Sequence, residues 1–447
     1  MKPKYIYLIF AVVSLSFTFF LINREKGKEQ LTLLERTGTI NNSSEWINTK
    51  AAIEKLLGDL RSNPKNLKAK LQLAFAYIQE SRVTGNHGYY DQAAMQLIDE
   101  ILAERERDYE ALCAKATVLL SQHHFTEALS IGHQIVKDNP SSAFGYGILT
   151  DAYVETGNYT EAVRFADKMI SLRPDIRSYS RVSYLREIYG DYNGAEEAMK
   201  MAVEAGVPGT EQTEWARVYI GHSYELKGDL NNATLYFNQA LYHRPQYAYA
   251  LAGLGRIAKS RRNFDDAIKC FERAKLTVND YSFYEELADV YHAMRIPRKA
   301  DVELKEAIKM LSDENGEEGT ASHGHYSDRE LALLYVKTYQ YDLAYQHAMT
   351  EYSRRPENID VNQTLAWVQY KRGKYTDAAQ KITKALKTKS ANPTLLFQAG
   401  LIKSANGNIV EGKALMQQAI AFNKFLPFDL LYEGKKYLNA DELYAQK

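Results

Sequence analysis

Cysteine is nearly absent. Cys113 and Cys270 are the two in 447 residues, too few for a disulfide framework or a four-thiolate metal site and too far apart for a Cys-x-x-Cys redox pair. Proline is scarce as well, with 10 in the chain, so little in the sequence interrupts helix formation. Neither sign of charge is in excess: 56 Lys and Arg balance 56 Asp and Glu, which leaves no bulk positive field and excludes nucleic acid as the main ligand. A glycine-rich phosphate loop and a G-x-S-x-G elbow are both missing, and no segment is left over for a catalytic domain. The histidine pairs His123-His124 and His323-Gly324-His325 lack the i,i+4 spacing and the nearby cysteines of a zinc site, and read as solvated turn residues. The acidic stretch at residues 313–319 lacks the alternating ligands and closing Glu of a calcium loop, and reads as a mobile insertion. What the chain does have is a folding composition, 45% hydrophobic and 25% charged, with 33 tyrosines.

One long apolar run is present. Residues 5–22 carry no charge, and as a helix they span roughly 27 Å against a hydrocarbon core of about 30 Å. The reading adopted is an uncleaved anchor in residues 1–23. The competitor is a secretory signal, but a cut near Ser14-Leu15-Ser16 would leave apolar residues 17–22 beyond it. No cysteine lies near the run to carry a lipid. Lys2 and Lys4 before it nearly balance Arg24, Lys26 and Lys28 after it; the short basic start favours a cytoplasmic N-terminus and an exported body. Residues 24–44 are polar and read as a tether.

Beyond the tether the chain repeats. A large residue followed three places later by a small one recurs, as in Tyr159-Thr160-Glu161-Ala162 and Tyr375-Thr376-Asp377-Ala378. Following that small residue through Ala93, Ala128, Ala162, Ala195, Ala233, Ala267, Ala300, Ala344, Ala378 and Gly412 gives intervals of 35, 34, 33, 38, 34, 33, 44, 34 and 34. Small residues let two helix backbones approach, and Gly157, Gly190, Gly228, Gly373 and Gly407 stand where the first helix of each unit should end. Pro64, Pro140, Pro174, Pro245 and Pro356 stand where the second should stop. No such hairpin can cover its own apolar faces, so units must stack and the ends need caps.

The period and its residues resemble the tetratricopeptide repeat. One unit reads Ile220, Gly221, Tyr224, the turn Gly228-Asp229, then Ala233, Phe237, Ala240 and Pro245. The resemblance covers residues 65–424 as about ten units, between a capping helix at 45–64 and another at 425–447. Three insertions depart from it: residues 81–88 inside the first unit, 210–213 after the fourth, and 313–326 before the eighth. Arg186 replaces the tyrosine the family prefers, which suggests unusual packing of that helix.

The resemblance implies a curved stack whose first helices line a concave groove for a peptide or protein partner. Three successive first helices offer groove residues at helical spacing: Arg177, Arg181 and Tyr184; Trp215, Tyr219 and His222; Tyr249, Arg256 and Lys259. Aromatics beside arginine are the composition of a binding hot spot. Filling of the joint at 210–213 accounts equally well for Trp215 and Tyr219, and a solvated basic face for the cations. The Lys, Asn and Arg clamp that some family members use on a peptide carboxylate is not intact. Cys113 falls on a first helix and Cys270 on a second, both as packed or partly exposed thiols. The expectation is an all-α tetratricopeptide-type solenoid of stacked helical hairpins with one N-terminal transmembrane helix. It is read as a non-catalytic scaffold with a protein or peptide partner, no cofactor, no metal and no nucleic acid. The alternatives are a structural component of an envelope or secretion complex, or a localising subunit of an enzyme.

Overall fold

Each 34-residue period becomes one helical hairpin, because the breakers fall where the repeat places them. In this computed structural model, which describes residues 32–37, 44–314 and 324–439, the described residues form helices and no strand. Helix α1 (Ser44–Ser62) precedes ten hairpins. The first five are α2 (Leu67–Thr84) with α3 (His87–Glu104), α4 (Tyr109–Ser121) with α5 (Phe125–Asp138), α6 (Ala143–Thr156) with α7 (Tyr159–Leu172), α8 (Ile176–Ile188) with α9 (Tyr192–Glu204), and α10 (Glu211–Leu226) with α11 (Leu230–His243). The second five are α12 (Ala248–Ser260) with α13 (Phe264–Lys275), α14 (Tyr281–Ala293) with α15 (Pro297–Glu314), α16 (Asp328–Lys337) with α17 (Tyr341–Arg354), α18 (Ile359–Lys371) with α19 (Tyr375–Ala385), and α20 (Pro393–Ala405) with α21 (Ile409–Phe422). A short α22 (Phe428–Gly434) closes the described part.

Local chemistry sets these bounds. Gly157 at φ +85° and Gly373 at φ +74° take the left-handed conformation that ends a first helix. Side chains cap the following helices: Ser142 accepts from the Gly145 amide, and Asp175 and Ser178 form a reciprocal capping box. The motif alanines Ala128, Ala162, Ala233, Ala267 and Ala300 are fully buried at the helix crossings. Phe237 is fully buried too, and its ring would lie 2.5 Å from a Cβ at either Gly221 or Gly253, so two first helices close on one ring only because both lack a side chain there.

The stack also winds onto itself, which the sequence did not announce. The turn inside each of the first five units meets the connection that leaves the unit five places on. Asn279 donates to the Thr84 carbonyl at 2.9 Å; Tyr326 donates to the Gln122 carbonyl at 3.1 Å. Asn358 donates to the Glu155 carbonyl at 3.0 Å, and the Ile359 amide donates to the Tyr159 hydroxyl at 2.9 Å. Tyr192 meets Ser390 at 3.4 Å, and Asn423 donates to the Glu225 carbonyl at 3.2 Å. A seam therefore runs between successive superhelical turns, these bonds joining residues 195 to 204 apart.

Several expectations change. Residues 81–88 make no loop: α2 and α3 each lengthen to 18 residues, and the extension carries Arg82 to Glu211 of α10 at 3.1 Å and Thr84 to the seam. Residues 32–37, read as part of the tether, lie along the first unit, where Arg36 forms a buried bidentate pair with Glu80 and Thr32 and Leu34 bond Tyr89 and Tyr90. The C-terminal cap is a seven-residue helix, not one filling 425–447. Arg186 stays half exposed and pairs with Asp191 at 3.2 Å. Cys113 is buried and Cys270 partly so. The anchor in residues 1–23 and the core of the 313–326 insertion, 315–323, lie outside the described residues; among those described, no helix is long and apolar enough to cross a membrane.

Candidate functional site

The nine proposed groove residues come from α8, α10 and α12, three consecutive first helices, and side-chain contacts run from each of these helices to the next. Arg181 is bidentate to Asp151 of α6, with Nε to Oδ1 at 2.8 Å and Nη2 to Oδ2 at 2.5 Å. Arg177 lies over the Phe144 ring at 5.4 Å, and burial, reinforced by Arg181, lowers its basicity. Tyr219 donates to Glu187 of α8 at 2.6 Å, and burial followed by that carboxylate pushes the phenol far up. Burial likewise raises Tyr184 and Tyr249. Trp215 is 37% exposed, its ring 5.5 Å from Tyr219.

The cations do not form a free basic face. Arg256 donates to Glu225 at 2.9 Å and stands 3.8 Å from Glu286. Lys259 holds Glu286 at 2.5 Å and Asp289 at 3.5 Å, and Lys337 of α16 holds Asp289 at 2.6 Å and Glu285 at 2.9 Å. His222 sits between Glu225, 3.0 Å away, and the Arg256 guanidinium, 2.8 Å away, both at Nδ1. One nitrogen cannot donate to the first and accept from the second. Burial and then Arg256 lower its basicity, which favours a neutral ring accepting from Arg256. Burial opposes ionisation of Glu225, but the Arg256 guanidinium above all overcomes it and holds the carboxyl at about 2. The wall is thus a ladder of ion pairs, each rung joining neighbouring first helices.

The acids of that ladder, Asp151, Glu187, Glu225, Glu286 and Asp289, went unread in the sequence. Their signal was available, since each stands on a first helix one unit from the cation or tyrosine it faces. The histidines taken as solvated are seam residues. His123 donates from Nδ1 to the Tyr326 carbonyl at 2.8 Å, His124 meets the Gly324 carbonyl at 2.7 Å and Glu127 at 3.0 Å, and the His325 ring packs 4.4 Å from His123. Burial, then its neighbour His123, pushes His325 down to about 3. No metal-binding cluster occurs among the described residues, and His323 lies outside them.

With that geometry in hand, comparison with known proteins adds a class. Residues 218–247 and 250–282 match families described as tetratricopeptide repeat, and residues 82–167 match one described as ChAPs (Chs5p-Arf1p-binding proteins). The chain therefore carries tetratricopeptide repeats in an all-α solenoid. It is 23% identical over 286 residues to DnaJ homolog subfamily C member 3 of Gallus gallus, covering 63% of this chain and 52% of that one, so it spans about half the length of this relative. Among solved structures it is similar to the APC/C hetero-tetramer Cut9-Hcn1, at TM-score 0.47 and 16% identity over 73% of this chain and 60% of that chain. It is also similar to a tetratricopeptide repeat protein from Parabacteroides merdae, at TM-score 0.42 and 16% identity over 54% of this chain and 92% of that chain.

Proposed function

We propose that the chain is a non-catalytic tetratricopeptide scaffold, held at a membrane by residues 5–22 with its body exported, that binds a protein partner on the concave wall of α8, α10 and α12. The observation that carries the partner site is the continuity of that wall, with the partly exposed Trp215 beside Tyr219 on a ladder of ion pairs. Because Arg181, Arg256 and Lys259 already hold carboxylates, the wall suits a partner of mixed charge better than a purely acidic tail. The match of residues 82–167 to a family of binding proteins agrees with a protein partner.

Capture from detergent-solubilised membranes with the full-length chain tests the wall. Trp215→Ala should weaken the retained partner roughly tenfold or more, and Arg181→Glu should do the same. Unchanged retention by both variants would move the site off this wall. For the anchor, the full-length chain should stay in a carbonate-washed membrane pellet and leave it when residues 1–23 are removed; release of the intact chain by the wash would end that part of the proposal. The alternative of an assembly component gains from one observation, the open edge of the seam.

A further inference from the structure

The seam is built from two edges, and the chain carries unused lengths of both. The upper edge is the row of turns inside the units; the lower edge is the row of connections between them. In the first five units the upper edge is covered. A Cβ on Gly85 would lie 2.3 Å from the Asn279 carbonyl oxygen, one on Gly157 2.3 Å from the Glu357 carbonyl carbon, and one on Gly190 3.0 Å from the Lys389 carbonyl oxygen. Gly373 and Gly407 hold the same positions in units nine and ten, at φ +74° and +95°, with nothing within 4 Å. In units two to five and in units nine and ten, the residue that opens the second helix follows the same division. Phe125 is 7% exposed, and Tyr159, Tyr192 and Leu230 are each 5%; Tyr375 is 42% and Ile409 49%, beside Val410 at 85% and Tyr339 at 75%. Hollows repeat it. One of about 470 Å³ beside Gly157 is lined partly by Glu357 and Lys387 from across the seam, whereas one of about 420 Å³ between units nine and ten is lined only by its own turns.

The lower edge divides the other way. Arg355 and Asn358 are buried in the seam at 6% and 2%, Ser390 and Asn423 at 8% each. The matching connections of the first three units are open: residues 105–107, 139–141 and 173–174 are all exposed, with the Arg107 and Arg173 side chains at 72%. Arg173-Pro174 repeats the Arg355-Pro356 dipeptide at the same station, and Arg355 there stacks on the Phe125 ring at 4.6 Å.

We infer that the open upper edge of units eight to ten receives the open lower edge of the first three units of a second copy of this chain, so that copies stack head to tail and repeat between chains the turn-to-connection contact of the intramolecular seam. Continuity with that seam is what selects a second copy: one chain already shows each edge bound to the other. Large apolar residues exposed on the upper edge, from 42% at Tyr375 to 85% at Val410, supply the driving force, and Arg173 takes the role on a neighbour that Arg355 plays within the chain. The two edges are different surfaces, so the contact is heterologous and does not stop at a dimer unless it closes into a ring.

Sedimentation velocity on the full-length chain in mild detergent, from roughly 1 to 100 μM, reads the assembly. The wild-type mass should grow with concentration past two chains. An upper-edge variant, Tyr375→Glu with Val410→Glu, and a lower-edge variant, Arg107→Glu with Arg173→Glu, should each remain single chains with unchanged circular dichroism. Mixed together they have one intact pair of edges and should give a two-chain complex and nothing larger. A wild-type mass of one chain throughout, a fixed dimer that both variants retain, or a mixture that stays apart would each overturn the inference.

Discussion

Replacing Gly157 by alanine should unfold the array at markedly lower denaturant than replacing Gly373 by alanine, although the two residues occupy the same turn of two units. Both sit at positive φ, +85° and +74°, where a Cβ costs about 1 kcal/mol. Gly373 faces open space, so that is its whole penalty. At Gly157 the new methyl would stand 2.3 Å from the Glu357 carbonyl carbon and 2.6 Å from the Asn358 amide nitrogen. These are backbone atoms, which cannot swing aside as a side chain can, so the seam must part locally. Overpacking of this kind adds about 1 to 3 kcal/mol, for a total near 3 kcal/mol. Parting would also strip the Asn358 to Glu155 and Ile359 to Tyr159 bonds made at the same place. Urea titration of the two variants against wild type, followed by helical circular dichroism, measures the difference. Equal midpoints would mean that successive superhelical turns do not touch at this point in solution.

That comparison also marks how far the sequence could be read. The hairpins were legible because their determinants are local and recur: a small residue at each crossing, a glycine after six of the ten first helices, a proline after four of the second helices. The seam was not legible, because a turn that will be covered looks the same as one that will not. Gly157 and Gly373 have the same neighbours at the level of motif, and what separates them is a chain segment some 200 residues away in one case and open space in the other. The histidines illustrate the same limit, since spacing along the chain cannot show that His123 and His325 pack ring to ring. For the candidate site, helical spacing assigned the nine residues to three consecutive first helices. It could not supply their charge state, which depends on acids contributed by the adjoining units. Arg256 read alone is a free cation; beside Glu225 and Glu286 it is a rung.

Removing Arg355 should cost nearly as much as the Gly157 substitution, and the loss should depend on pH. Arg355 is buried, bridges Glu351 of its own helix to Glu155 across the seam, and stacks on Phe125. Breaking a buried pair leaves an uncompensated charge, worth about 3 to 5 kcal/mol. Arg354 still holds the second oxygen of Glu351 at 2.9 Å, so Arg355→Met belongs at the low end, about 3 kcal/mol. Glu155 supplies the pH dependence. Burial lifts its carboxyl from 4.5 to about 7 even with Arg355 opposing, so without the arginine it rises further. An acid with a raised folded value contributes stability that is complete below its unfolded value and is lost as pH climbs through the folded one. The deficit of Arg355→Met relative to wild type should therefore be smallest near pH 5 and largest near pH 8. His123 acts in the same sense: burial lowers its basicity, Arg355 lowers it further, and loss of the arginine lets it accept a proton more readily in acid. Changing Glu155→Leu together with Arg355→Met should recover much of the loss, since the carboxylate that lost its partner across the seam is then gone. Thermal melts of the single and double variants at pH 5 and pH 8 decide it. A single-variant deficit that grows toward acid would show that Glu155 is not buried against this arginine, and with it that the third and eighth units do not meet.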